Sequence, residues 1–402
     1  MIEIEEARRL VLEHISPLPG ESVALRAALG RVLAEDVASP EDVPAFDGSA
    51  MDGFAVRAAD TRGAQPDSPV RLRVVAESRA GHPATSSLTA GQAIAVSTGA
   101  VIPTGADAVV RVEETRSGDG LVEVLCEVEA HHDMRHAGED IRGGDSVLLS
   151  GVRLGPAELG VLASSARSTV ICHRRPTVWI LTTGDELIEP EEPLRPGAVR
   201  NSNAYSIPAL AERAGAEVIG VTAVPDNPEV TRAAIARTLE SDVTVICGGV
   251  SVGAHDHVKQ ALGDLGVREI FWGVALKPGK PTWFGRHPGG LVFGLPGNPV
   301  SAMVTFALLV RPALHALSGA QPERRRTTAR LDRDYEKSPG RAHAVRCRLQ
   351  LREDGWHARP AERQGSHVLT SMLGADALAI IPTASGDVRA GERVEIELLG
   401  DG

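Results

Sequence analysis

The chain has 402 residues, 43% of them apolar and 24% charged, which describes ordinary globular protein and excludes a disordered or fibrous chain. That length exceeds what one hydrophobic core organises, so roughly two to four domains are expected. A formal net charge of −11 argues against a nucleic-acid partner, and an anionic ligand would have to be recruited by local positive groups.

The N-terminal segment MIEIEEARRLVLEHI places Ile4, Ala7, Leu10, Val11 and Ile15 on one helical face, with Pro17 and Pro19 ending the helix. It lacks the basic end and apolar core of a signal peptide. A second short helix is expected over Val23 to Leu33. Between about Pro66 and Val128 no helical period survives; LRVVAES, GQAIAVST and LVEVLCEV are strand candidates of a small inserted β domain. From TVWILTTG onward, apolar strands alternate with helices (NAYSIPALAERAG, PEVTRAAIARTLE, HDHVKQALGDLG, and the long NPVSAMVTFALLVRPALHALSG). REIFWGVAL and LVFGLP are read as strands of the same series. Near-continuous apolar strands in such alternation imply a doubly wound parallel sheet covered on both faces. Asn298 reads as an N-cap with Pro299 at the first helical position. After the basic linker QPERRRTT the chain is β again, in TTARLDRDY, AHAVRCRLQL, HVLTSMLG, ALAIIPT and RVEIELL.

The fold class is therefore a multidomain α/β chain. The expected domains are 1–45 with 140–172 (mixed α/β), 46–139 (inserted, β-rich), 173–320 (doubly wound) and 321–402 (a β barrel or sandwich). Cys126, Cys172, Cys247 and Cys347 lie far apart with no CxxC pair, as small core residues of a reduced protein, and zinc is not expected. No apolar run is read as membrane-spanning, so the expected location is the cytoplasm.

In open parallel sheets ligands bind beyond the carboxyl ends of the strands, and here those ends are polar. TTGDEL offers Asp185 and Glu186, VPDNP offers Asp226, and GGVSVGAHD offers Gly248, Gly249, Ser251 and Asp256. Glu186, Asp226 and Asp256 are hard oxygen ligands able to share a magnesium ion with phosphate oxygens. The glycines let backbone N–H groups approach a phosphate. In LKPGKP, Pro278 and Pro281 stiffen the backbone, Gly279 permits a turn, and Lys277 and Lys280 can point the same way; two close ammonium groups repel unless an anion lies between them. Taken singly, an aspartate after a strand is more often a helix cap, and GLPGNP with Pro296 and Pro299 can be no more than a rigid turn. Asp52, Thr98, Arg135, Asp140 and Ser366 sit in loops that composition alone would leave as turn formers.

SAMDGFAV, STGA with PTGADAVV, GEDI, TTGDEL, GGVSVG with Asp256, LKPGKP, GLPGNPVSA and QGSH follow one another in a single order along nearly the whole chain. Together they resemble the molybdopterin molybdenumtransferase (molybdate insertase) family, which includes the gephyrin E domain. The resemblance implies an enzyme that takes adenylylated molybdopterin and molybdate, inserts molybdenum at the dithiolene and releases AMP with magnesium. It implies that Glu186, Asp226 and Asp256 surround the magnesium and nucleotide end. Lys277, Lys280, Pro281 and Ser301 match the region that binds molybdate, and Arg346 and Ser366 its remaining oxyanion contacts. Asp52, Thr98, Arg135 and Asp140 match residues that close the cleft from the partner subunit of a homodimer. Molybdopterin adenylyltransferase and molybdoenzyme chaperones are further partners implied. Many relatives carry consecutive arginines before GED, where this chain has Arg135, His136 and Ala137; many carry an aromatic where it has His257. Adenylyl transfer to molybdopterin, or a scaffold with a vestigial site, are the alternative readings; the three further domains favour insertion.

Overall fold

The computed structural model of the protein describes residues 1–250, 257–320 and 326–400; the predicted site residues Ser251 and Asp256 lie outside them. Its central feature is a six-stranded sheet in the order Glu217–Val224, Thr177–Thr183, Val243–Cys247, Gly290–Leu295, Trp283–His287, Arg268–Trp272. The first four strands run parallel, as the apolar alternation predicts. The last two are antiparallel to their neighbours, so the sheet is mixed. The Trp283–His287 strand was not expected: its five residues lie close behind LKPGKP and close before Pro288, where turn signals dominate.

Helices cover both faces. One core cluster joins the N-terminal helix Ile4–Leu12, the helix Asn203–Arg213, the sheet and the last helix to Ala342, Ala344 and Leu378 of the C-terminal region. The opposite face buries Leu181, Ile246, Trp283 and Val292 beneath Pro228–Thr238 and Val258–Asp264. The last helix, Pro299–Leu317, is long and apolar enough to cross a membrane, which corrects the reading that no run has that character. It is a core helix, 78% of its apolar window being buried. Pro312 has no N–H for the carbonyl of Leu308, and the Arg8 Nε of the N-terminal helix donates to that oxygen instead at 2.8 Å. The same stretch carries a π turn over Phe306–Val310.

Strands Arg326–Leu331, Ala342–Arg352, Gly355–Pro360, Ala377–Ile381 and Arg393–Leu398 close into a five-stranded barrel, because Ala342–Arg352 pairs with both Gly355–Pro360 and Ala377–Ile381. Its interior is a separate cluster of alternating small and branched residues, among them Val345, Cys347 and Ala379. The short strand Leu276–Lys277 adds to this barrel, pairing in parallel with Ala342 and His343, rather than continuing the strand Arg268–Trp272 as REIFWGVAL suggested. HVLTSMLG, expected as a strand, is a loop with a single 3₁₀ turn at Leu369–Met372. A third six-stranded sheet, built from residues between Gly53 and Val124, forms the β-rich region near the N-terminus. Between these lies the pairing of Gly20–Ala24 with Thr169–His173, where a helix over Val23 to Leu33 was expected. Val23 there points into a small buried cluster with Leu33, Leu162 and Val170, so tertiary packing overrides local helical propensity.

Candidate functional site

The strand ends meet as the parallel topology requires. The amide of Asp226 donates to Asp185 Oδ1 at 3.1 Å and that of Gly184 to the Val224 carbonyl at 3.2 Å, which ties the ends of Thr177–Thr183 and Glu217–Val224 together. Glu186 is exposed and folds its carboxylate over Gly184, where a Cβ would stand 2.4 Å from Oε2. Gly248, at φ +97, packs so closely on Thr183 that a Cβ would meet the Thr183 carbonyl and Oγ1 at 2.9 Å. Its amide donates to the Leu295 carbonyl at 3.0 Å, and Gly297 lies against its Cα. Glu186, Asp226, Gly248, Gly249 and the Pro296–Asn298 turn thus belong to one neighbourhood.

Two polar groups that sequence reasoning did not single out lie there. Thr183 Oγ1 and Asn203 Oδ1 are buried with no hydrogen-bond partner among the described residues, while Asn203 Nδ2 donates to the Gly297 carbonyl at 2.8 Å. The Thr183 hydroxyl, beside Gly248 and Gly249, thus keeps both a hydrogen to donate and lone pairs to offer at the strand ends. Thr183 was visible as the residue before GDE; Asn203 had no local signal beyond opening its helix. Among the described residues no group of three metal-ligating side chains is assembled, so the carboxylate trio expected around magnesium is not a preformed cage in them. Asn298 occupies the N-cap as expected, but its side chain makes no capping bond; the helix is begun by its carbonyl, which accepts from Ala302 at 3.0 Å.

A second neighbourhood is cationic. Lys277 and Lys280 are exposed on a turn whose interior residues, Pro278 and Gly279, are buried. Gly279, at φ +122, lies against the last helix: a Cβ would meet Thr305 Cγ2 at 2.5 Å and Leu276 Cδ2 at 3.0 Å. Thr305 Oγ1 in turn donates to the carbonyl of buried Ser301 at 2.8 Å. Lys277 is clamped by its pairing with His343, whose ring is pushed down to about 4 by burial first and by Lys277, Lys337 and Arg341 after it. His343 is therefore neutral beside the lysine.

The QGSH loop reaches the same helix from the barrel, the Ser366 carbonyl accepting from the Val300 amide at 3.2 Å. Arg346, only 1% exposed, holds that loop: its Nε donates to Ser371 Oγ at 3.2 Å, an Nη to the Gly365 carbonyl at 3.3 Å, and its amide to Gln364 Oε1 at 3.1 Å. No carboxylate pairs with this guanidinium among the described residues, and burial lowers its pKa. A desolvated cation without a counter-ion is an electrostatic receptor for an anion. Ser301 and Ser366 lie in the first turn of the Pro299 helix and against it, so the two neighbourhoods share that helix start.

Asp52, Thr98, Arg135 and Asp140 are elsewhere. Asp52 Oδ1 accepts from the amide and hydroxyl of Thr98 at 2.7 and 3.2 Å. Arg135 pairs in a two-residue ladder with Gly48, and the Asp140 amide donates to Val43. Among the described residues no hydrogen bond or ion pair joins this group to the strand ends of the same chain.

The chain matches the MoeA N-terminal region (domain I and II) over residues 2–166, a probable molybdopterin binding domain over 179–316 and the MoeA C-terminal region (domain IV) over 328–399. It is 36% identical to the molybdopterin molybdenumtransferase of Haemophilus influenzae, covering 99% of this chain and 98% of that one, and 34% identical to that of Bacillus subtilis over 99% and 94%. A crystal structure of the molybdopterin biosynthesis MoeA protein from Pyrococcus horikoshii superposes at a TM-score of 0.85 with 32% identity over the full length of both chains. Full-length identity, the order of the matched regions and the shared architecture agree: the chain belongs to the molybdopterin molybdenumtransferase family, transferases of molybdenum cofactor biosynthesis.

Proposed function

We propose that the chain inserts molybdenum from molybdate into adenylylated molybdopterin and releases AMP, with magnesium required. The supporting observation is the shared helix start. The cationic turn packs through Gly279 on Thr305, the Arg346-held loop bonds Val300, and the Pro296–Asn298 turn that precedes both abuts Gly248 and Asn203. A tetrahedral dianion at the lysine turn and a nucleotide at the strand ends would then lie along one short path.

Lys277 and Lys280 supply charge to the dianion, and Arg346 adds field from behind the Ser366 loop. The work of these groups is orientation, and no protein nucleophile is needed. The two dithiolene thiols of the ligand displace an oxygen of molybdate, which leaves as water with their protons. A water or molybdate oxygen attacks the phosphoanhydride so that AMP leaves. At the other end, the Gly249 backbone and the Thr183 hydroxyl, which has a hydrogen to donate, suit the phosphate of the adenylate, the Gly248 amide being taken by the Leu295 carbonyl. The donors fit magnesium, since exposed carboxylates at adjacent strand ends leave room for the waters and phosphate oxygens the ion retains. Glu186 and Asp226 would hold it, with Asp256 outside the described residues. When bound, the ion would stabilise charge on the phosphate as AMP departs.

Asp52, Thr98, Arg135 and Asp140 fit this reading as residues delivered by a second copy of the chain, because their own subunit holds them in a separate cluster. A cytoplasmic site of action belongs to the same proposal. The test is AMP release from adenylylated molybdopterin on adding molybdate and magnesium. ATP consumption with free molybdopterin would establish adenylyl transfer instead, and binding without AMP release would leave a scaffold.

A further inference from the structure

A cavity of about 560 Å³ opens on the outer wall of the barrel and shares only Ser371 with the site described above. Three arginines line it, Arg348, Arg359 and Arg363, against one carboxylate, Glu362. Arg348 and Arg359 stand directly opposite each other on paired antiparallel strands. Like charges at such a pair are destabilising, and strands normally place an acid across from a base. None of the three guanidinium groups makes an ion pair or hydrogen bond among the described residues, although exposed arginines elsewhere on the barrel, Arg352 and Arg389, bond aspartates.

The cavity is shaped as well as charged. Gly374, at φ +66, lets the Arg348 guanidinium lie against its Cα; a Cβ would stand 2.8–3.1 Å from three guanidinium atoms. Ser371 lines the cavity, 7% exposed, and because its Oγ accepts from Arg346 its hydroxyl hydrogen is free to point inward. Leu373, 72% exposed, and Val368 give the rim an apolar side. A single tetrahedral ion would not fill such a volume, whereas pockets of roughly 300–1,000 Å³ take small organic ligands.

We propose that this cavity binds a small organic phosphate, its phosphoryl group between Arg348 and Arg359 and its organic part against Val368 and Leu373. The inference stands apart from the insertion reading, since it uses neither the lysine turn nor the strand ends.

The test is binding of AMP and of inorganic phosphate, followed by ³¹P NMR and calorimetry on the full chain. The proteins compared are the parent, a Glu186→Ala/Asp226→Ala pair that disables the strand-end nucleotide site, and that pair with Arg348→Ala/Arg359→Ala added. Magnesium is present throughout, and circular dichroism confirms that each is folded. AMP should still bind the Glu186/Asp226 pair and weaken at least tenfold when the arginine pair is added. Gly374→Ala, which pushes the Arg348 guanidinium away, should weaken it severalfold. Phosphate binding at least tenfold weaker than AMP confirms that the organic part is held. Phosphate matching AMP would overturn the assignment to an organic ligand, leaving an adventitious ion site. AMP binding that the arginine pair leaves unchanged, or no AMP binding at all, would overturn the proposal. Because the readout is binding, failure of molybdate-dependent AMP release would count against the insertion reading and not against this one.

Discussion

At the carboxylate end, Glu186 and Asp226 are exposed on loops whose fixed points are backbone hydrogen bonds between neighbouring strands. At the cationic end, Lys277 and Lys280 project from a turn whose core is wedged between a helix and a barrel, with Gly279 against Thr305 and Lys277 in register with His343. The first arrangement lets carboxylates adjust to an ion that keeps its waters. The second fixes a pair of like charges that would otherwise move apart. Rigidity is thus concentrated where repulsion must be overcome, and substitutions should affect the two ends differently.

Gly279→Ala should have the largest effect. The residue sits at a φ that L side chains rarely adopt and an added Cβ would stand 2.5 Å from a methyl group, so strain and overpacking together should cost about 3 kcal/mol. A urea melt should show that loss along with loss of activity. Adding Thr305→Ser removes the clashing methyl while keeping the hydroxyl that bonds Ser301 and Ala302, and should restore about 1 kcal/mol of it. No recovery in the double variant would show that the wedge is not what holds the turn. At the carboxylate end the comparable change, Asp226→Asn, should leave the melt within about 0.5 kcal/mol of the parent, since its side chain is exposed.

Lys277→Ala comes next. Removing one charge-assisted contact to a dianion should slow AMP release roughly 10- to 100-fold with little change in stability. An unchanged rate would remove the lysine turn from the site.

Arg346→Met should separate stability from function. Among the described residues the buried guanidinium makes two side-chain hydrogen bonds and meets no counter-ion, so an apolar replacement of similar length should keep or raise the melting temperature. The rate of AMP release should nonetheless fall severalfold, because the Gln364–Ser366 loop loses its anchor. A melting temperature lowered by many degrees would mean that the arginine is structural and no more.

Much of this was legible in the chain. Each sheet loop announces itself by an apolar run ending in Gly, Pro or Asp, and the four parallel strands are mostly apolar and rich in β-branched residues. Long-range pairings were not legible. Nothing local in Leu276–Lys277 says that it joins a barrel strand more than sixty residues away. The Trp283–His287 strand is masked by the prolines on either side. HVLTSMLG carries β-formers but turns, because the Arg346 guanidinium takes Ser371 as a partner in place of a ladder. Local propensity cannot express that competition. Arg346 itself reads as a half-exposed strand residue, and only the packed barrel shows it to be buried.

The smallest predicted effect probes the clamp itself. His343 is held neutral, down to about 4, while the same ring in the unfolded chain titrates near 6.5. Between these values the unfolded chain binds the proton and the folded one does not, so stability falls as pH drops from about 6.5 towards 4 and is fully present above 6.5. His343→Gln should flatten that part of the pH–stability curve. Lys277 is the second cause of the depression, after burial, so Lys277→Ala should raise the pKa of His343 by a fraction of a unit, read by NMR titration of the ring. Coupling of that size would show the lysine charge lying over the barrel strand. No shift would mean that Lys277 points away from it, and the rigidity assigned to the cationic end would then stop at Gly279.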